Sequence, residues 1–244
     1  MTEGAGRHAL KKLEGLTIAV PAYNEEATLE PVVRECLAVA PAVAAAFEVL
    51  IIDDASRDRT PALAESLAGL PGVRVVHHQE NRGFGGSQET AFREAAQPFI
   101  VLVPGDGQFP PADIPLLVRA APQADIVLGY RTERKDPLQR RIQTRALSFV
   151  ARRLLGLPFR DVNWVKLYRT KLVRGLSIES RRIGVDCEVL LKAKARGARF
   201  SEAMVSYLPR SGGSAASLRL PTVLKTAGEL FGLWLRLKRG TLRA

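Results

Sequence analysis

The chain is poor in cysteine: Cys36 and Cys187 are the two in 244 residues, too few for a disulfide framework or a metal cluster. That scarcity fits a reducing compartment. No window approaches the ~18 uninterrupted apolar residues of a membrane-spanning helix. The opening stretch, MTEGAGRHALKKLEG, lacks the apolar centre of a signal peptide. A soluble or peripheral protein is expected, on the cytoplasmic side of a membrane if it touches one. Acidic residues are also short: 25 Asp and Glu against 36 Lys and Arg leave a net charge of +11. Such an excess points to an anionic partner, whether nucleic acid, an anionic membrane surface or phosphorylated substrates. Aromatic residues make up 6% of the chain and no recognised nucleic-acid motif is present, which argues against nucleic acid. What remains is ordinary for a globular protein, with 46% hydrophobic and 25% charged residues. The length suits one large domain, or a domain with an appended tail.

The first half alternates between short apolar runs and helical patterns. Leu16–Val20, Phe47–Asp53, Val73–His77, Phe99–Val103 and Asp125–Gly129 read as strands. Glu25–Ala40 (with Asn24 as a possible N-cap), Pro61–Leu70 and Ser87–Ala96 read as helices. This order predicts βαβ units, a parallel sheet and an α/β class. The second half is richer in arginine, with a dense stretch over Arg131–Arg153. A helix is expected over Asp186–Arg196, then a strand entering a Gly/Ser-rich loop, then a basic amphipathic helix over Pro221–Arg239. A boundary near residue 215 separates the main domain, 1–215, from a helical tail, 216–244.

The unusual residues lie after the strands, in PAYNEE, DDASRDRT, HQENRGFGG and PGDGQFPP. In open α/β sheets, ligands bind at the carboxyl ends of the strands, so these four loops should meet. Each has two readings. Asp53 and Asp54 serve either as caps for the next helix or as acceptors for a nucleoside. The glycines of NRGFGG are spaced wrongly, and follow the wrong strand, for a dinucleotide fingerprint. They suit a loop that approaches a phosphate or sugar, or a plain tight turn. His77 and His78 are adjacent on a strand and point to opposite faces, so they cannot chelate one ion together. Asp106, between two glycines, either caps its turn or joins Gln108 in offering oxygens to Mg²⁺ or Mn²⁺ beside a diphosphate.

The ordered set PAYNEE, DDASRDRT, NRGFGGSQETAFREA and GDGQFPPADIPLL resembles the nucleotide-sugar domain of family 2 glycosyltransferases, the GT-A fold. The continuation GYRTERKDPLQRRIQTRALSFVARRLLGLP, with DCEVLLKAKARG further on, is similar to the subset that glycosylates polyprenyl phosphates, of the dolichol-phosphate-mannose-synthase type. The resemblance covers roughly residues 15 to 215. It implies a Rossmann-like, mostly parallel central sheet flanked by helices. It implies that Pro21, Tyr23, Glu25, Asp53 and Asp54 hold the nucleoside of a GDP- or UDP-sugar; Arg82, supplying charge, and Gly83 are expected in the same nucleotide-sugar site. Asp106 and Gln108 would hold Mg²⁺ or Mn²⁺ at the diphosphate. Arg131 and Arg145 would meet the acceptor phosphate, and Arg210 would stand in a loop that closes over the donor. Two departures stand out. The acid the family usually carries two places before Asp106 is Pro104 here. The segment DVNWVKLYR keeps Asp161 and Lys166 but lacks the family's glycine.

The implied reaction is inverting transfer of a sugar from the nucleotide to a polyprenyl phosphate. A phosphate monoester is already largely ionised near neutrality, with a second pKa of ~6, and needs cations more than a base. One alternative is transfer to a sugar hydroxyl, for which Asp186 or Glu188 would be the base. Another is a catalytically weak relative that binds nucleotide-sugars or other anions.

Overall fold

The computed structural model describes residues 10–131, 149, 152–180, 184–209 and 220–239. Strands β1 (Leu13–Ala22), β2 (Ala44–Asp53), β3 (Val73–His77), β4 (Phe99–Leu102), β5 (Ile126–Arg131), β6 (Lys166–Arg169) and β7 (Phe200–Val205) form one sheet in the order β3-β2-β1-β4-β6-β5-β7. The pairings are parallel except those of β6, which runs antiparallel to β4 and β5.

The central strands are apolar at successive positions because both faces of the sheet are covered. Side chains alternate between those faces. Leu16, Ile18 and Val20 of β1, Val49 and Ile51 of β2, Val101 of β4 and Leu167 of β6 enter one core. Helices α1 (Leu29–Val43), α2 (Thr60–Ala68) and α4 (Ile114–Ala120) close that side. Ala19, Leu50, Ile52, Ile100, Leu102 and Tyr168 turn to the opposite core. There they meet α3 (Gly83–Glu94), α5 (Gly184–Ala195) and α6 (Leu220–Lys238).

Several boundaries differ from the sequence expectation, each for a local reason. Helix α1 starts at Leu29, not Glu25, and Asn24 does not cap it. Asn24 sits at φ +55°, and its side-chain oxygen instead accepts the N–H of Arg57 at 2.8 Å. Helix α3 begins at Gly83, so the glycine-rich stretch forms its first turn. Helix α4 was not anticipated; it starts from the proline-rich segment that follows the PGDGQ loop, with Pro115 in its first turn, where no N–H is needed. Strand β6 was also missed, since KLYR carries two charges in four residues.

Helix α6 packs on the main body through Leu230 and Leu233, which are buried in the second core. Its Glu229 accepts the N–H of Gly184 at 3.3 Å, and its Arg236 pairs with Glu179. Phe231 and Leu237 stay outside, 56% and 39% exposed.

Candidate active site

Parallel register brings the ends of β1, β2 and β3 level, with Ala22 beside Asp53 and Asp53 beside His77. The two loops that leave β1 and β2 are stitched together. Ser56 Oγ accepts from Asn24 N–H at 3.0 Å, Thr60 Oγ1 from Glu25 N–H at 2.9 Å, and Glu26 Oε2 from Arg59 N–H at 3.0 Å. Tyr23 is left 41% exposed on this rim, with Pro21 and Glu25 half-buried behind it.

The two acids that follow are each held by a histidine. Asp53 Oδ2 lies 2.9 Å from His77 Nδ1, and Asp54 Oδ1 lies 2.6 Å from His78 Nδ1. The outer nitrogens reach Glu65 at 2.8 Å and Thr90 at 2.9 Å. The adjacent histidines thus face different partners. The Asp53 hydrogen bond raises the His77 pKa against the opposing effect of burial, and Glu65 adds to the rise. Asp54 also accepts the backbone N–H groups of Arg82 and Gly83, each at 2.8 Å, and so caps the start of α3. Arg82 turns its guanidinium back to Glu89 at 3.0 Å and Thr90 at 3.2 Å.

After β4 the chain makes the bare loop around Asp106. Gly105 donates to the carbonyl of Pro21 at 3.1 Å, and a Cβ on it would lie 3.0 Å from that oxygen. Gly107 takes φ +71°, where a side chain is strained. This backbone turns tightly against β1, and Asp106 Oδ1 accepts the N–H of Gln108 at 3.0 Å. Gln108 is buried, and its Nε2 donates to the hydroxyl of Tyr207 at 2.7 Å. Among the described residues no three His, Cys, Asp or Glu side chains cluster as a metal cage. One carboxylate and one amide are hard oxygen donors. They fit a Mg²⁺ or Mn²⁺ that completes its shell with a diphosphate and water.

Next to this loop lies a buried charged cluster. Arg131 grips Asp161 through Nε at 2.8 Å and Nη2 at 3.3 Å, with the two side chains 5% and 2% exposed. Its guanidinium carbon stands 4.3 Å from the ring centroid of Trp164 and 5.5 Å from that of Tyr207. Lys166 Nζ contacts Asp186 Oδ1 and the carbonyl of Trp164, both at 2.8 Å. Burial raises the Asp186 carboxyl above the usual range, and nearby Asp161 adds to this. Lys166 pulls the other way and does not fully offset the rise. Glu188 is spent elsewhere, on Lys192 at 2.9 Å and on the N–H groups of Glu179 at 3.1 Å and Ser180 at 2.8 Å. Burial pushes its carboxyl up, but these bonds win and hold it below the ordinary value.

The structure therefore brings Pro21, Tyr23, Glu25, Asp53, Asp54, Arg82 and Gly83 to one stretch of the sheet edge, and Asp106, Gln108 and Arg131 to the neighbouring stretch. Arg145 and Arg210 lie outside the described residues. Sequence reasoning missed both Asp–His pairs, Trp164 and Tyr207. Two histidines ending one predicted strand and two acids ending its neighbour were the available signal for the pairs.

A sheet of this order, with these loops at its carboxyl edge, has the GT-A architecture of nucleotide-sugar enzymes. Glucosyl-3-phosphoglycerate synthase of Mycobacterium tuberculosis, solved with Mn²⁺, UDP and phosphoglyceric acid, superposes with a TM-score of 0.70 at 17% identity, over 91% of this chain and 78% of that one. At that identity the likeness establishes the fold. Residues 17–179 match the family model of glycosyl transferase family 2, and the chain belongs to that family. An undecaprenyl-phosphate 4-deoxy-4-formamido-L-arabinose transferase of Pseudomonas aeruginosa is 33% identical over 167 residues, 66% of this chain and 49% of that protein. The chain thus spans about half the length of that relative. An uncharacterized glycosyltransferase of Mycobacterium tuberculosis is 30% identical over 206 residues, 83% of this chain and 89% of that protein.

Proposed function

We propose that this chain is an inverting glycosyltransferase that moves a sugar from a GDP- or UDP-sugar to a polyprenyl phosphate. The observation that carries the proposal is the adjacency of two unlike sites on one sheet edge. The Asp106–Gln108 loop offers oxygens suited to a divalent cation, and Gln108 is joined through Tyr207 to the Arg131 cluster. The undecaprenyl-phosphate substrate named for the Pseudomonas relative supports the acceptor class.

In this scheme Tyr23 and Glu25 flank the nucleoside on the rim. Asp53 and Asp54 border it from below, held in place by His77 and His78. Asp106 and Gln108 would hold Mg²⁺ or Mn²⁺, and the ion would supply charge neutralisation at the leaving diphosphate. Gly105 lets the loop close against Pro21 of β1, and Gly107 takes the left-handed turn that follows Asp106. The acceptor phosphate oxygen attacks the anomeric carbon from the face opposite the leaving group, which gives inversion. Arg145 and Arg210 supply positive charge, and Arg131, its charge offset by Asp161, borders the acceptor through its cluster with Trp164 and Tyr207. Of the two acids that could act as base for a hydroxyl acceptor, Glu188 is buried and engaged by Lys192 and two backbone N–H groups, and Asp186 is buried against Lys166, which counts against that alternative.

A membrane-bound acceptor also gives α6 a role. Leu230 and Leu233 anchor it to the core, while Phe231, Leu237, Lys238 and Arg239 are exposed. Exposed apolar and basic side chains on one helix suit the interface of an anionic leaflet. No described helix is long and apolar enough to cross a membrane.

The test is a panel of labelled nucleotide-sugars offered with undecaprenyl or dolichyl phosphate and Mg²⁺ or Mn²⁺, read by transfer of label into the lipid phase. Label entering lipid only when the polyprenyl phosphate is present is the expected result. Donor turnover that ignores the lipid phosphate would overturn the acceptor assignment.

A further inference from the structure

Tyr207 lies just beyond β7, outside the four loops that follow β1 to β4. It nevertheless touches both halves of the site. Its hydroxyl lies 2.7 Å from Gln108 Nε2. Its ring meets Trp164 edge to face, with centroids 5.5 Å apart, and lies under the Arg131 guanidinium at 5.5 Å. Trp164 in turn packs against Phe109, the residue after Gln108, with centroids 6.4 Å apart.

The hydroxyl contact is not needed to attach this segment to the loop. The backbone already does that: Leu208 N–H donates to the carbonyl of Gln108 at 2.8 Å, and Ser206 N–H to Asp113 Oδ2 at 2.6 Å. What the hydroxyl adds is the orientation of one amide. A glutamine presents an oxygen at one end and an NH₂ at the other, and only the oxygen can ligate a cation. Gln108 is 5% exposed, so solvent has little part in choosing its orientation. In this bond the hydroxyl accepts from Nε2, which leaves Oε1 at the other end of the amide.

We propose that Tyr207 is a positioning residue that sets the Gln108 amide with its oxygen available to the cation, and that its ring ties this setting to the Arg131–Asp161 pair. The proposal rests on the reading of Asp106 and Gln108 as the cation-binding loop. The consequence is a coupling between the two halves of the site: a change in the Arg131 cluster that moves the Tyr207 ring also disturbs the amide.

The experiment measures Mn²⁺ binding directly, by the loss of free-ion electron paramagnetic resonance signal, with UDP or GDP present. It uses four full-length proteins: wild type, Tyr207→Phe, Gln108→Glu and the double variant. Nucleotide affinity without metal is measured in parallel. Phenylalanine keeps the ring and removes the hydroxyl. Tyr207→Phe should weaken Mn²⁺ binding roughly three- to tenfold, the weight of one hydrogen bond, and leave metal-free nucleotide affinity unchanged. A carboxylate presents oxygen at both ends and has no wrong orientation, so in the Gln108→Glu background the same change should have no further effect. Equal Mn²⁺ affinity of wild type and Tyr207→Phe overturns the proposal while leaving the cation loop standing. So does a loss of equal size in both backgrounds, which would mark a general loosening of the segment. Absence of Mn²⁺ binding by wild type with either nucleotide overturns the cation-loop reading itself, and the proposal with it.

Discussion

Arg131 meets Asp161 through two nitrogens, at 2.8 and 3.3 Å, with both side chains almost wholly out of water. The contact pins the end of β5 to the segment that leads into β6, and it places the guanidinium over Trp164. An arginine so placed keeps its charge but is not a free arm, so its loss should be felt in stability as well as in transfer. Removing one member of a buried pair leaves the other charge uncompensated, at a cost of about 3–5 kcal/mol. Asp161→Asn should lower the urea midpoint accordingly, whereas removing both charges together should cost less than the sum of the single changes. Additive losses in that cycle would mean the pair is not coupled.

Asp106 should behave in the opposite way. It is half-buried in a loop, and its replacement leaves both cores untouched. Asp106→Asn should keep the melting temperature of wild type and lose metal-dependent transfer by roughly 10²–10³-fold. A folded Asp106→Asn protein with full activity would remove this residue from the site.

Glu188 separates a structural acid from a catalytic one. It is fully buried, neutralises Lys192 and accepts two backbone N–H groups. Glu188→Gln strips the counter-charge from a buried ammonium, and a loss of several kcal/mol in unfolding free energy is expected, on the order of 3 or more. A variant of unchanged stability with a specific loss of rate would restore it as a candidate base.

His77 gives a pH dependence whose sign follows from its partners. Its folded-state pKa is raised above the ordinary 6.5, first by the hydrogen bond to Asp53 and then, against the effect of burial, by Glu65. The stabilisation is therefore fully present below about 6.5 and lost as pH rises through the elevated folded value. Replacing His77 with Gln should flatten the fall in stability across that window. The imidazole is about a third exposed, so the effect should shrink with added salt. An identical pH profile for His77→Gln would assign the dependence to other groups.

Helix α6 offers a paired test. Leu233 is fully buried, and Leu233→Ala should cost about 2–5 kcal/mol in stability. Phe231 is largely exposed but stacks on Trp234, so Phe231→Ser should cost no more than about 1.5 kcal/mol. It should nevertheless weaken binding to vesicles rich in anionic lipid, and that binding should fall with salt. Wild-type binding that is equal on neutral and anionic vesicles would count against a membrane role for this helix.

The layered α/β fold was legible in the order of apolar runs, because parallel strands buried on both faces must be apolar at nearly every position. TIAV, VLII and FIVL announce themselves in this way, and a glycine-bearing loop after such a run marks a sheet edge where ligands bind. Order also picked out the glycine-bearing loops that follow the strands, the one with Asp106 between two glycines among them. Strand β6 was not legible. Lys166 looks like a surface residue until Asp186, 20 positions away in the chain, neutralises it in the interior. The pairing of Asp53 with His77 and of Asp54 with His78 was hidden for the same kind of reason. It exists only when β2 and β3 lie side by side in one register, which the chain adopts on folding. The sequence by itself determined which segments had to leave water and which loops lay at their ends. Tertiary structure alone decided which charges meet, because a buried charge is tolerable only beside its partner, and that partner is chosen by packing across the sheet.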